Sequence, residues 1–163
     1  MAVVDKYVDV DLEADKLGSA LFTNGKEVTF AMATVAVAAG DDNDSVYRLF
    51  KDVPSSLVPV LIIIHNTAIT NGTDYDLGLY KINRGAVIDK DILADGLDMS
   101  SARAIATLNN AGLTTLNIAN GGEDLGKLSA QTDIDPAYDI ALTANTVGTI
   151  AGTIRATAVF AYK

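Results

Sequence analysis

The sequence predicts an all-β protein: an antiparallel β-sandwich with one or two short helices in its loops. Apolar and polar residues alternate with period two in the clear segments, which is typical of strands with one buried face. Turn-forming Gly, Asn and Asp residues separate these segments, and helical spacing is clear only once. Because no Pro-, Gly- or Ser-rich linker divides the chain, residues 25–163 are expected to form one domain, preceded by an N-terminal arm over residues 1–24.

The first two strands predicted after the arm are apolar on both faces. In Val28–Val37, Phe30 and Met32 alternate with alanines and valines, and in Leu57–His65 aliphatic residues occupy both faces. An antiparallel sheet with one wet face carries polar residues at every second position. Both strands therefore need cover on two sides, from the same chain or from a neighbouring subunit.

Alanines are placed unusually in the predicted strands, since alanine is a poor strand former. Six of them lie in such runs: Ala31, Ala33, Ala36, Ala38, Ala156 and Ala158. Small side chains allow another sheet to approach closely. Two interpretations stay open, a thin core within one chain or a tight contact between subunits.

The middle of the chain contains a predicted turn, a predicted strand and two predicted helical segments. Asp41–Asp44 reads as a turn, and Asp74–Leu79 alternates as a strand. Asp98–Leu108 begins with cap-type residues, continues with good helix formers and is followed by the stop signal of residues 109–112. We expect a short helix there, with Ile105 and Leu108 facing inward. Residues 87–93 are expected to form a second helical turn.

The C-terminal part predicts two more strands. Tyr138–Leu142 alternates with Asp139 and Thr143, and Asn145–Gly148 is expected to be a hairpin connection. The last strand is the clearest, because six residues of one parity are apolar and the intervening ones are mostly polar. The predicted inward residues are Ile150, Ile154, Ala156, Ala158, Phe160 and Tyr162.

Composition excludes several classes of function. The chain has 12 Lys and Arg against 21 Asp and Glu, a net charge of −9, and no basic cluster, which argues against nucleic-acid binding. It has no cysteine, so disulfides and thiolate chemistry are excluded, and its single histidine excludes a multi-histidine metal site in one subunit. Its apolar runs are far shorter than the ~20 residues that span a bilayer, and charges near the N-terminus argue against a signal peptide.

The sequence predicts no catalytic residue, no cofactor and no metal site. His65 follows an apolar strand and is interpreted as structural. Asp74 and Asp76 share a strand face, and so do Asp133 and Asp135 if their segment is extended. Each pair either stays solvated, which is the favoured interpretation, or binds a cation. The acidic turn at residues 41–44 lacks the spacing, glycine and closing glutamate of an EF-hand.

Several stretches carry a resemblance to a known family, and together they cover roughly half of the chain. They lie at Val46–Lys51, Asp74–Tyr80, Leu93–Ser100, Tyr138–Leu142 and Ala158–Tyr162. In these stretches the sequence resembles the cement, or decoration, proteins that coat the heads of tailed bacteriophages. The likeness is one of pattern rather than of a fixed motif, so it brings no functional residues with it.

The resemblance implies a jelly-roll-like sandwich that forms a homo-oligomer, with a trimer favoured over a dimer. It also implies a partner, the major capsid protein, and a position on the outer surface of the virion capsid after synthesis in the host cytoplasm. Neither nucleic acid nor membrane is an expected partner. The apolar strand Val28–Val37 is the candidate for self-association, and Val3–Asp15 of the arm is the candidate for capsid contact.

Two other classes of function remain as alternatives. A surface β-sandwich that binds a glycan or receptor would present an exposed aromatic platform or a carboxylate-lined calcium site. A hydrolase would hold two carboxylates with strongly shifted pKa values in a deep pocket. The chain has only 6% aromatic residues and no tryptophan, which disfavours the aromatic platform.

Overall fold

The computed structural model describes residues 2–7, 19–21, 27–107 and 123–162 of the 163-residue chain. Those residues form ten strands and one short helix, α1, at Leu125–Leu128. The strands are β1 Asp5–Tyr7, β2 Ser19–Leu21, β3 Glu27–Val37, β4 Ser45–Pro54, β5 Leu57–Asn66, β6 Asp74–Lys81, β7 Val87–Leu97, β8 Arg103–Thr107, β9 Ala137–Thr146 and β10 Gly152–Tyr162.

The strands form two five-stranded sheets that pack as a sandwich. Sheet I has the order β1-β4-β9-β6-β7, and sheet II has the order β2-β3-β10-β5-β8. Strands β3 to β10 alone follow the eight-stranded jelly-roll order, 4-9-6-7 in one sheet and 3-10-5-8 in the other. All of these pairs are antiparallel, whereas β1 joins sheet I parallel to β4. The predicted all-β, jelly-roll-like sandwich is confirmed.

The core lies between the sheets and follows the period-two pattern. Of the inward face predicted for the last strand, Ile154, Ala156, Ala158 and Phe160 are confirmed, because all four are completely buried. Tyr162 is only half-buried, and the prediction for Ile150 is wrong, because Ile150 lies before β10 and is 53% exposed. The Phe160 ring meets Phe50 of sheet I edge to face, with ring centroids 6.2 Å apart. This contact joins the two layers.

The alanines divide between the core and the surface. Ala31 lies opposite Ala158 and Ala33 opposite Ala156, and all four are buried. Ala36 is exposed, as is Ala38 beyond the end of β3. Sheet II therefore contributes small side chains where sheet I contributes large ones, so the within-chain interpretation holds for four of the six. The largest buried side chains of sheet I that face the core or its margins are Tyr47, Phe50, Tyr75 and Tyr138.

The helix predicted over Asp98–Leu108 is wrong. Arg103–Thr107 is instead strand β8, which pairs antiparallel with β5 and has Thr107 opposite Ile63. Main-chain groups along a strand edge need partners, and pairing with β5 outweighs the weak local preference for a helix. The side chain of Ile105 and the whole of Leu108, both predicted to face inward, lie outside the described part of the structure.

The second helical turn, predicted over residues 87–93, is also wrong, because this stretch is the first part of β7 and pairs with β6. The described helix, α1, is a single turn in a loop that the sequence analysis did not assign to helix. The carboxylate of Asp124 caps it by accepting a hydrogen bond of 2.8 Å from the Lys127 N–H. Within the described ranges, no helix is long and apolar enough to cross a membrane.

The connections after β3 and β9 pass between the two sheets. Asp41–Asp44 forms the predicted turn, and it leads from sheet II to sheet I. Asn145–Gly148 was expected to be a hairpin connection, and this is wrong. Its flanking strands β9 and β10 belong to different sheets, because the jelly-roll order carries the chain across the sandwich at this point.

Two stretches of the predicted N-terminal arm are described, and both extend a sheet. β1 pairs with β4, Asp5 lying opposite Val46. β2 pairs with β3 and has Ala20 opposite Val28. The other residues of the predicted arm lie outside the described ranges.

Candidate interaction surfaces

The outward side of sheet II carries a patch of apolar side chains. In register across β3, β10 and β5, Phe30 is opposite Val159, and Val159 is opposite Leu61. In the next outward row, Met32 lies opposite Thr157, which faces Ile63 of β5. Registered residues of neighbouring strands share one face of a sheet. We call this surface the sheet II face, and its members are Phe30, Met32, Thr34, Leu61, Ile63, His65, Arg155, Thr157 and Val159.

The apolar part of the sheet II face is open to solvent in the described structure. The side chain of Phe30 is 37% exposed and that of Met32 is 48% exposed. Val60, beside this surface at the register shift between β5 and β10, is 53% exposed. The sequence predicts that the two strands with apolar residues on both faces need cover on both sides. The outward side of sheet II is the side that the described structure leaves uncovered.

The polar part of the sheet II face is cationic. Arg155 lies opposite Thr34 on β3 and opposite His65 on β5. A depression of about 420 Å³ opens here, and Met32, His65 and Arg155 contribute to its lining. Among the described residues, neither the Arg155 guanidinium nor the His65 ring has a hydrogen-bond or ion-pair partner. His65 is half-buried on this outer face rather than in the core.

Apart from Glu27 at the start of β3, the described strands of sheet II carry no acidic residue. Residues 28–37, 57–66 and 152–162 contain no Asp and no Glu, although the whole chain carries a net charge of −9. The described strands of sheet I carry many carboxylates. Charge is thus segregated between the two outer layers.

On the outer side of sheet I, Arg48 is the centre of a buried polar cluster. Its side chain is 1% exposed, and all five of its N–H groups have acceptors. Nε and Nη2 donate to the two oxygens of Asp5 at 2.8 and 3.0 Å, and Nη1 donates to Asp139 Oδ2 at 3.0 Å. The remaining two donate to the main-chain carbonyls of Lys81 and Gly85. Two-point pairing with a carboxylate is the strongest form of such a contact.

Tyrosine rings enclose the same guanidinium. Its Cζ lies 5.4 Å from the centroid of the Tyr7 ring and 5.0 Å from that of Tyr80. Tyr7 also donates a hydrogen bond of 2.9 Å to Asp139. Burial, together with the neighbouring Asp139 carboxylate, raises the pKa of the Tyr7 hydroxyl above its ordinary value. Strand β1 is therefore fixed to sheet I through Asp5 and Tyr7.

The acidic turn at residues 41–44 anchors the chain by a second set of contacts. Asp41 Oδ2 accepts hydrogen bonds from Lys6 Nζ at 2.7 Å, Tyr47 Oη at 2.9 Å and the Ala38 N–H at 3.0 Å. Burial alone would raise the pKa of Asp41, but these donors outweigh it and hold the pKa below its ordinary value. The carboxylate is thus saturated by groups of the protein itself.

The structure brings Asp74 and Asp76 together with a third carboxylate, that of Asp95. One oxygen of each lies within 4.8 Å of the others, a spacing that suits a hard cation. Asp76, however, already receives the Asn145 amide at 2.6 Å and has the Lys90 ammonium at 3.4 Å. Burial and the neighbouring Asp76 raise the pKa of Asp95. The positive group beside these carboxylates in the described structure is therefore the Lys90 ammonium.

The second predicted carboxylate pair flanks an exposed apolar side chain. Asp133 is exposed, Asp135 lies 3.5 Å from Lys81 Nζ, and Ile134 between them is 56% exposed. The segment is held in place because the Asp135 N–H donates to the Tyr138 hydroxyl at 3.2 Å. The sequence analysis singled out the two carboxylates but not the isoleucine.

The tertiary structure adds residues that sequence reasoning did not identify. Arg48, Asp139 and Asp5 form one cluster although 91 positions separate the first two. Arg155 and His65 become neighbours only through the pairing of β10 with β5. A charged residue between Tyr47 and Leu49 was the available signal for Arg48, and it carried no information about the partner.

Comparisons with known proteins relate the chain to others by fold. No protein-family model and no curated protein sequence matches it. A chain in the capsid of Ralstonia phage GP4 matches with a TM-score of 0.64 at 9% identity, over 98% of this chain and 99% of that chain. A chain in the capsid asymmetric unit of cyanophage Pam1 matches with a TM-score of 0.53 at 11% identity, over 95% of this chain and 99% of that chain. This chain therefore shares its fold, along nearly its whole length, with chains of two phage capsids.

Proposed function

We propose that this chain is a structural protein of a phage virion that binds the outer surface of the assembled capsid and stabilises it. The observation that carries the proposal is the likeness in fold to capsid chains, which extends over 98% of this chain and 99% of the other in one case. The proposal assigns no catalytic residue and no cofactor.

The proposed partners are the major capsid protein and further copies of this chain, with a trimer favoured. Exposure of Phe30 and Met32 on the sheet II face supports self-association, since apolar surface of this kind gains from burial. The net charge of −9 supports a site outside the shell rather than against the packaged nucleic acid. We place the protein on the capsid surface after synthesis in the host cytoplasm.

Stabilisation of the capsid then follows from mass action. A protein that binds the assembled lattice but not its free subunits shifts the equilibrium toward the lattice. An oligomer that touches several capsid subunits at once gains further, because each contact raises the effective concentration for the next. Each single contact can therefore be weak.

The N-terminal segment Val3–Asp15 is the proposed capsid contact. Its described part, β1, is held against sheet I by the bonds from Arg48 to Asp5, so the start of the segment has a fixed position. Val3, just before β1, is 62% exposed and presents an apolar side chain to a partner. The residues of this segment after Tyr7 lie outside the described ranges.

Cosedimentation tests the proposal. Capsids of the encoding phage, assembled without this chain, are mixed with the purified protein, and free capsid subunits are mixed with it in parallel. We expect binding to capsids and none to free subunits. Val3→Lys should weaken capsid binding by at least about tenfold. Val87→Lys is the matched control, since Val87 is similarly exposed at 52% but lies on β7 at the far edge of sheet I.

The outcomes separate the parts of the proposal. If the unmodified chain does not bind capsids, the proposed function is wrong. If it binds and Val3→Lys binds equally well, the capsid contact is not at Val3. Imaging of the native particle then shows whether copies of the chain lie at regular positions on the shell.

A further inference from the structure

One exposed apolar side chain differs from the others in its surroundings. Ile134 is 56% exposed and has a carboxylate on each side, at Asp133 and Asp135. Other exposed apolar residues, such as Val87 and Ile150, have no charged residue directly beside them in the sequence. This pairing of an isoleucine with carboxylates defines an acidic knob, residues 133–135.

The acidic knob is held in a definite shape. Asp135 is anchored by the Tyr138 hydroxyl and by the ammonium of Lys81. A methyl group of Ile134 lies directly over Gly126 of α1, only 2.9 Å from the position that a Cβ there would occupy. Because the knob is fixed before it binds, docking costs little conformational entropy.

The sheet II face offers the complementary chemistry. Met32 supplies apolar surface beside the depression, and Arg155, next to His65, supplies the cationic end. Arg155 is exposed and has no carboxylate partner among the described residues, and the neighbouring strands contain no Asp or Glu apart from Glu27, the first residue of β3. In a chain with a net charge of −9, this is the described surface where an acidic segment of another copy meets no repelling carboxylate.

The geometry points to a contact in which the acidic knob of one copy docks on the sheet II face of a second copy. Ile134 packs against Met32, and the Asp133 carboxylate pairs with the Arg155 guanidinium. This deepens the self-association in the proposed function by naming both halves of the interface. The second copy is the occupant, because the same chain carries the knob and the face that fits it.

The contact joins two different surfaces. Where it repeats head to tail it is heterologous and leaves one knob and one face unused in a pair of copies, so association continues until a ring closes or an open filament forms. A trimer is the smallest closed ring of this head-to-tail type. In a two-fold dimer the same contact would occur twice, knob to face and face to knob.

Charge exchange tests the contact. Arg155→Glu and Asp133→Arg are each expected to weaken association by at least about tenfold, as measured by sedimentation over a range of concentrations. The double variant, with both changes in one chain, restores a pair of opposite charges at every interface and should recover the oligomer of the unmodified protein. A mixture of the two single variants has two compatible interfaces, because the knob of each variant fits the face of the other, so the mixture should associate although neither variant does so alone. A ring of three copies must still contain one interface between copies of the same variant.

Matched controls separate this effect from a general change of charge or of apolar surface. Arg84→Glu changes the charge of an exposed arginine elsewhere by the same amount. Ile150→Ser is the control for Ile134→Ser, since Ile150 is 53% exposed and has no charged neighbour in the sequence. Circular dichroism of each variant verifies that the fold is kept.

The inference is overturned if the unmodified chain sediments only as a 17.0 kDa species at micromolar concentration. It is also overturned if both single variants assemble as the unmodified chain does, or if the double variant does not recover. Capsid binding, measured on the same preparations, tests the proposed function separately from the contact between copies. A monomer that binds capsids retains the proposed function and removes this contact, whereas an oligomer that does not bind capsids removes the function.

Discussion

Arg48 is the residue on which the outer layer of sheet I depends. A buried ion pair adds little net stability when it is compared with a well-packed apolar group, because removing two charges from water costs several kcal/mol. Loss of one partner is different. Asp139 is completely buried, so without Arg48 its charge would have no cation within hydrogen-bond distance.

Replacement of Arg48 by methionine, which keeps much of the volume, is expected to lower the free energy of unfolding by about 3–5 kcal/mol. Urea denaturation followed by circular dichroism measures this. Arg84→Met is the control, because Arg84 is exposed and its side chain meets the cluster only at the ring of Tyr7, 5.5 Å from the ring centroid, and it should change stability by less than about 1 kcal/mol. Equal losses in the two variants would show that the buried cluster has no special role.

Asp41 makes stability depend on pH. Its pKa in the folded protein is below the ordinary value of 3.8, so the folded state releases this proton more readily than the unfolded state does. The resulting stability is present in full above the unfolded-state pKa. It is lost as the pH falls through the lower, folded-state value.

Asp41→Asn should therefore destabilise the protein at neutral pH by roughly 1–3 kcal/mol, because three donors lose a charged acceptor. The gap to the unmodified protein should narrow as the pH falls below about 4. Urea denaturation at a series of pH values measures it, with Asp42→Asn as the neighbouring control. A gap that is constant with pH would contradict the assignment.

At the scale of elements, β7 is not a simple partner of β6. Leu77 pairs with Ala94 but Leu79 pairs with Asp89, so four residues of β7 bulge out between these two pairs. The bulged main chain crosses directly over Gly78. It also carries Lys90 toward the Asp76 carboxylate. The absence of a side chain at Gly78 is thus what permits this cover of sheet I.

Gly78→Ala places a Cβ 2.1 Å from the Asp89 carbonyl oxygen and 2.3 Å from the Lys90 carbonyl carbon. Main chain must then move, and we expect a loss of about 3 kcal/mol or more in the free energy of unfolding. Gly40→Ala is the control, since nothing lies within 4 Å of the added Cβ, and it should be neutral or slightly stabilising. Thermal and urea unfolding of the two variants compare them directly. A Gly78→Ala protein as stable as the control would contradict this packing.

At the scale of the whole molecule, the two outer layers differ in kind. Sheet I is covered by a polar layer whose charges pair with one another, as Arg48 does with Asp5 and Lys90 with Asp76. The sheet II face leaves Phe30, Met32 and Arg155 without such partners among the described residues. The charged groups outside sheet I thus find their partners within the chain, whereas the sheet II face is suited to contacts between molecules.

If the proposed function is correct, capsid stability must depend on the concentration of this chain. A ligand of the assembled state stabilises it by RT ln(1 + [L]/Kd), so above Kd each tenfold increase adds about 1.4 kcal/mol per bound site. The capsid melting temperature, followed by light scattering, should rise steadily with the logarithm of concentration. A melting temperature that does not change with concentration would contradict a stabilising role.

Local pattern predicted those parts of the fold in which one face is buried. Alternation identified the inward residues Ile154, Ala156, Ala158 and Phe160, because in a strand the period of two assigns every residue to a face. The helix predicted over residues 98–108 was wrong for the opposite reason. Its composition favours a helix only weakly, and pairing with β5, more than 35 positions earlier in the chain, decided its structure.

The sequence alone determined that the chain is an acidic all-β sandwich without cysteine chemistry and with apolar strands that need cover, since composition and alternation are local properties. Only the tertiary structure decided where that cover is missing. It also brought Arg155 beside His65, and Arg48 beside Asp5 and Asp139. These neighbours depend on strand order and register, which are set by long-range pairing across the jelly roll and leave no trace in the spacing of residues along the chain.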